Sequence, residues 1–138
     1  MIEQGVVDSF KFEVFFAIHD FDMDTFKVAL YAPGANVNRG TTEYISAGEV
    51  SGTGYTAGGV DLTGVDVALS GGVAYVTFHD PEWPAATFSA QAALVYNSTK
   101  GNRAVAVIDM KTVQAPNNQT FRLRLPDATP DTAIVRIR

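Results

Sequence analysis

Thr25-Phe26-Lys27-Val28-Ala29-Leu30-Tyr31 sets Phe26, Val28 and Leu30 in alternation with Lys27, Ala29 and Tyr31. Successive side chains leave a strand on opposite sides, so this period of two marks a half-buried β-strand. Ala32-Pro33-Gly34 ends it. The same period returns down to the C-terminus. Val60–Leu62 and Val65–Leu69 read as strands, and Ser70-Gly71-Gly72 is a hairpin turn into Val73–Phe78. Ala86–Tyr96 is a long apolar strand, Asn97–Asn102 a hairpin turn, and Arg103–Met110 the returning strand. Phe121–Leu125 puts Phe121, Leu123 and Leu125 on one face. Ala133–Arg138 does the same with Ala133, Val135 and Ile137. A short strand is expected near Glu43–Ile45. Loops are expected at 33–42 and His79–Pro84, and a turn at Pro116–Gln119.

Before Asp24 the period is helical. In residues 6–21, Val6, Val7, Phe10, Val14, Ala17, Ile18 and Phe21 fall within about a 120° stripe, as for a helix laid on a core. Asp8 in its first turn suits the helix dipole. Roughly eight strands and no helices between them predict an all-β protein. It is an antiparallel β-sandwich or jelly-roll-like single domain over residues 1–138, with one N-terminal helix.

Apolar content of 46% against 18% charge suits a packed globule rather than a disordered chain. With no cysteine, disulfides and thiolate metal sites are excluded. The N-terminus shows no basic segment followed by an apolar run, so no signal peptide is expected. No stretch nears the roughly 18 apolar residues of a membrane helix. Synthesis in a cytoplasm without a membrane partner is the expectation. A net charge of −5 argues against nucleic acid as the main partner. That charge is unevenly spread. Glu3, Asp8, Glu13, Asp20, Asp22 and Asp24 face only Lys11 in the first 24 residues, whereas Arg122, Arg124, Arg136 and Arg138 dominate the tail.

Three motifs invite chemistry and fall short of it. Asp20-Phe21-Asp22-Met23-Asp24 has the spacing of the first calcium ligands of an EF-hand. Thr25 and Tyr31 stand where that loop needs glycine and glutamate, so the acids are expected to face water or cap backbone amides. His79-Asp80-Pro81-Glu82-Trp83 has no nucleophile paired with it, and reads as a proline-fixed turn with Trp83 at the edge of the core. Gly48–Gly59 lacks the order of a phosphate loop. Its glycines are expected to supply bends and close backbone approach. Asn97 and Asn118 match the glycosylation sequon and are read as turn residues. No catalytic residue, cofactor or metal ligand emerges, and an enzyme is not expected.

Two groups remain as candidate interface residues. Phe12, Phe15 and Phe16 fall on the helix face opposite the apolar stripe. Either a long loop covers them or another subunit does. Arg122, Arg124, Arg136 and Arg138 point away from the apolar faces of the two C-terminal strands. If those strands are neighbours, the arginines share a patch, either a solvated sheet face or a docking surface for an acidic partner.

Three strings, Asp24–Tyr31, Gly48–Gly59 (Gly-Glu-Val-Ser-Gly-Thr-Gly-Tyr-Thr-Ala-Gly-Gly) and Tyr96–Asp109 (Tyr-Asn-Ser-Thr-Lys-Gly-Asn-Arg-Ala-Val-Ala-Val-Ile-Asp), resemble in order and spacing a family of small proteins encoded among the virion genes of tailed bacteriophages. The resemblance spans nearly the whole chain and implies a structural component of the virion, made in the host cytoplasm. A small cysteine-free β domain of asymmetric charge suits a decoration or cement protein that binds the major capsid protein across lattice joints, as a homo-oligomer. The alternative is a tail or tail-fibre component, as an adhesion module offering loops 33–42 and 50–59 with Tyr44, Tyr55 and Trp83 to host glycans.

Overall fold

A computed structural model describes residues 2–137. In chain order the elements are β1 (Gly5–Val6), α1 (Asp8–Val14), β2 (Phe26–Tyr31), β3 (Val60–Asp61), β4 (Asp66–Ser70), β5 (Val73–Thr77), β6 (Glu82–Thr87), β7 (Ala90–Asn97), β8 (Arg103–Gln114), β9 (Asn117–Arg122) and β10 (Arg136–Ile137). The protein is all-β, with antiparallel sheets and one short helix. A five-stranded sheet runs β1-β8-β7-β2-β3, a three-stranded sheet β10-β5-β4, and β6 pairs with β9.

β2 sits next to the centre of the large sheet. β2 pairs with β7 from Phe26↔Asn97 to Tyr31↔Ala92. This register puts Phe26, Val28 and Leu30 on one face with Asn97, Val95 and Ala93, continuing to Ala106 and Ile108 of β8. Ala29 and Tyr31 share the other face with Leu94 and Ala92, and then Val107. Both faces are covered. Ala92–Asn97 and Ala104–Ile108 are therefore buried without a break, and alternation vanishes where burial is deepest.

The first face packs under α1 and the smaller sheets. Phe21 stacks on Phe26 at 4.5 Å. Ile137 of β10 lies across a groove from Val6, Phe10 and Val14. Phe121 and Leu123 lie across another from Ile108 and Met110. The second face packs under the long segment between β2 and β3. There Tyr31 donates to the Ile45 carbonyl at 2.6 Å, and Tyr44 stacks on Tyr96 at 5.0 Å. One apolar core draws on all three sheets, including Val76, Trp83 and Leu94.

Several boundaries differ from expectation: Phe121–Leu125 is strand only to Arg122, Ala133–Arg138 only at Arg136–Ile137 among the described residues, and Glu43–Ile45 holds one bridge, Glu43↔Arg103. The helix spans Asp8–Val14, not 6–21. Gly5 and Val6 are drawn into pairing with Val107 and Ala106, and Val7 donates its N–H to the Val105 carbonyl. At the other end Ala17 turns to φ 56°, the left-handed conformation that stops a helix. The expected loop His79–Pro84 and long strand Ala86–Tyr96 are redrawn. β6 starts at Glu82 and runs through Pro84, and β7 starts only at Ala90. Pro84 is tolerated because the β6–β9 register shifts between Trp83 and Ala86, with Ala85 at φ 50°. The expected turn at Pro116–Gln119 is largely strand for a related reason. Asn118 takes φ 51° inside β9 and donates its N–H to the Thr87 hydroxyl.

Candidate functional site

Seven residues of helix are too few to be stable alone, so α1 depends on what holds it. Phe10 is buried, 4.9 Å from the His19 ring and 6.0 Å from Phe21. Glu13, one turn further on the same face, is also buried. Its Oε1 accepts a hydrogen bond from His19 Nε2 and its Oε2 one from Arg103 Nη1, both at 2.8 Å.

The network fixes the tautomer of His19. Asn97 Oδ1 accepts the amides of Thr99 and Lys100, so Asn97 Nδ2 must face the other way. It donates to Asp24 Oδ2 at 2.8 Å and to His19 Nδ1 at 3.1 Å. Nδ1 is therefore an acceptor, and Nε2 carries the hydrogen aimed at Glu13. Lys100 closes the cluster, donating to both Asp24 oxygens and to the Ile18 carbonyl. Burial pushes the Asp24 carboxyl up, but hydrogen bonds from Asn97 and Lys100 outweigh it and hold the group below 3.8. The cluster pins α1 and the turn after it to the β7–β8 hairpin.

The pinned helix and the turn after it present an apolar face to solvent. Phe12, Phe15 and Phe16 are 66%, 90% and 64% exposed, with the Phe12 and Phe16 rings 5.0 Å apart. Of the two readings left open above, cover by the chain's own loop fails. Phe15 also borders an apolar groove of about 350 Å3, lined by Val6, Phe10, Val14 and Ile137 with Lys11 and Arg136 at its rim.

The arginines do not gather. β9 pairs with β6 and β10 with β5, so the condition for one shared patch is not met. Arg122 clasps Glu82, its Nε and Nη2 donating to Oε1 at 2.9 and 2.7 Å. Arg124 is exposed beside it on a groove shared with Asp109 and Asp127. Arg136 stands apart, its Nη1 donating to the Ala133 carbonyl at 2.7 Å, next to Phe15. Arg138 lies outside the described residues.

The other motifs are structural fittings. Asp20 Oδ1 accepts the amides of Asp22 and Met23, the backbone capping expected of it. Asp80 accepts the Leu125 amide. In the glycine-rich segment a Cβ at Gly59 would come within 1.8 Å of the Val28 carbonyl oxygen, at a φ of +81°. Glycine there lets the loop lie against β2. That loop is locked by Glu49, which accepts the Tyr44 and Tyr55 hydroxyls at 2.6 and 2.5 Å and the Gly58 amide at 2.8 Å. Burial, then the Glu49 hydrogen bond, pushes the Tyr44 phenol up to about 12. Trp83 is only 2% exposed.

Neither the Glu13–His19–Asn97–Asp24 cluster nor the Glu49 lock was foreseen. Their members lie up to 90 residues apart in sequence, and nothing local distinguishes them. The one hint was a glutamate inside a helix otherwise rich in phenylalanine. Comparison with protein-family models, with curated proteins and with solved structures finds no match for this chain.

Proposed function

We propose that this chain is a non-enzymatic structural protein of a tailed-phage virion, a decoration or cement protein that seats on the major capsid lattice. One observation carries the reading: an anchored helix and the turn after it hold three phenylalanines in solvent. Such a face is stable in an assembly that covers it and a liability in a free monomer. The groove beside Phe15 extends the contact, and Arg136 and Lys11 at its rim suit an acidic capsid surface. Many copies on a repeating lattice turn modest single contacts into firm attachment. The three sequence strings that resemble phage virion proteins supply the particle.

The rival tail-adhesion reading keeps its exposed loops and loses one of its three aromatic residues, while the hydroxyls of the other two are engaged. Trp83 is buried, and Tyr44 and Tyr55 are spent on Glu49. A tail position, with or without adhesion, is decided by experiment. Purified heads and purified tails are probed separately with an antibody to this chain. The reading requires many copies on tailless heads. Signal confined to tails overturns the capsid assignment.

A further inference from the structure

The three-stranded sheet ends on β4, which among the described residues has β5 on one side and no strand on the other. Natural edge strands are blunted by lysine, proline or a bulge. β4, Asp66-Val67-Ala68-Leu69-Ser70, has none of these, and its register with β5 is unbroken. Val67 and Leu69 are 54% and 76% exposed. They share a sheet face with Ala74, and Ala74 pairs with Ile137, itself 54% exposed.

The free hydrogen-bonding groups of this edge can be assigned. Ser70 and Val73 flank the two-residue turn Gly71-Gly72, whose φ values of 57° and 81° are those of a tight hairpin. They therefore form a hydrogen-bonded pair, and so by alternation do Ala68 with Tyr75 and Asp66 with Thr77. Val67 and Leu69 turn their N–H and C=O groups outward. Val76, opposite Val67, confirms the phase by donating its N–H to Val135 on the far side of β5. Among the described residues the Val67 N–H donates to the exposed Asp66 carboxylate, at 2.9 Å.

We infer that β4 pairs antiparallel with β4 of a second copy about a two-fold axis at Ala68, joining two three-stranded sheets into one of six strands. The register follows from the groups that are free. Centring on Ala68 sets Val67 against Leu69 of the second copy, and Leu69 against its Val67, so the outward groups bond one another. The sequence is self-complementary in this register. Apolar faces apolar, Asp66 faces Ser70, and no charge meets a like charge. The apolar row Ile137–Ala74–Leu69 then continues into the second copy. The β4 pairing uses none of Phe12, Phe15 and Phe16, although Ile137, at the start of the apolar row, also lines the groove beside Phe15.

Sedimentation and cysteine pairing test the register, since the chain has no native cysteine. Ala68 would face its own copy as a non-hydrogen-bonded pair about 4.5 Å apart, within disulfide reach. The two Ser70 residues would be about 13 Å apart. The wild-type protein should sediment as a dimer, and Leu69→Lys as a monomer that still unfolds cooperatively, with a melting temperature that no longer depends on protein concentration. Mild oxidation should link Ala68→Cys and leave Ser70→Cys unlinked. Phe16→Asp should remain a dimer. A monomeric wild type, a dimer indifferent to Leu69→Lys, or equal crosslinking at the two positions overturns the inference.

Discussion

Glu13→Ala should be clearly destabilising, although Glu13 is a charged residue on a short helix whose far side and following turn carry three exposed phenylalanines. Its carboxylate accepts from His19, whose side chain is fully buried, and from Arg103, which is 46% exposed. Truncation orphans the buried His19 N–H, at about 1–3 kcal/mol. The Arg103 side chain can turn to water, so its loss adds at most about 1 kcal/mol. The sum is about 1–4 kcal/mol. At this chain length each kcal/mol moves the melting temperature by about 3–5 °C, so a fall of about 3–20 °C is expected. Thermal melts followed by circular dichroism measure it, with Arg103→Ala and Glu13→Gln as companions. Arg103→Ala should cost no more than about 1 kcal/mol, and Glu13→Gln, which keeps an acceptor for His19, should fall between. Glu13→Ala melting within about 2 °C of wild type, or Arg103→Ala costing as much as Glu13→Ala, would refute the reasoning.

Two further outcomes follow from the same contacts. Asp24 is held below its ordinary 3.8 in the folded state. Its contribution is thus complete above that value and lost as pH falls through the lowered one. Asp24→Asn should be less stable than wild type at neutral pH, and the gap should close on acidification in urea titrations run from pH 7 to 2. A gap that stays constant would mean Asp24 is not the titrating group. Gly59→Ala should cost well over about 1 kcal/mol, because its Cβ would overlap the Val28 carbonyl oxygen; a melting temperature equal to wild type would mean the loop does not lie against β2.

The strands were legible where one side chain in two is buried, as at Phe26–Leu30, or where glycines mark the turn, as at Gly71-Gly72. They were misjudged where the ladder is irregular. Pro84 and Asn118 carry the composition of loops, and bulges accommodate both inside strands. The helix was placed correctly and drawn too long. Its apolar stripe runs on through residues that tertiary contacts recruit otherwise, Val6 by β8 and Phe21 by Phe26. The exposure of Phe12, Phe15 and Phe16 was open from the sequence, since the wheel fixes the face and not what covers it. The buried ionic cluster was illegible, because its pairings cross the chain and depend on how the hairpin turn at Asn97 meets the helix. The arginines show the opposite failure. Facing was read correctly at Arg122, but strand neighbourhood was not in the local pattern, and it decides whether charges add up.

The attachment claim rests on the phenylalanine face and is tested most directly by add-back. Heads prepared without this protein are mixed with purified wild type or with the Phe12→Ser, Phe15→Ser, Phe16→Ser triple variant, and head-bound protein is measured after sedimentation. All three side chains are solvent-exposed, so the variant should fold and melt close to wild type. The account predicts saturable binding of wild type and loss of most of it in the variant. Equal binding by both proteins, with the variant fully folded, would contradict it.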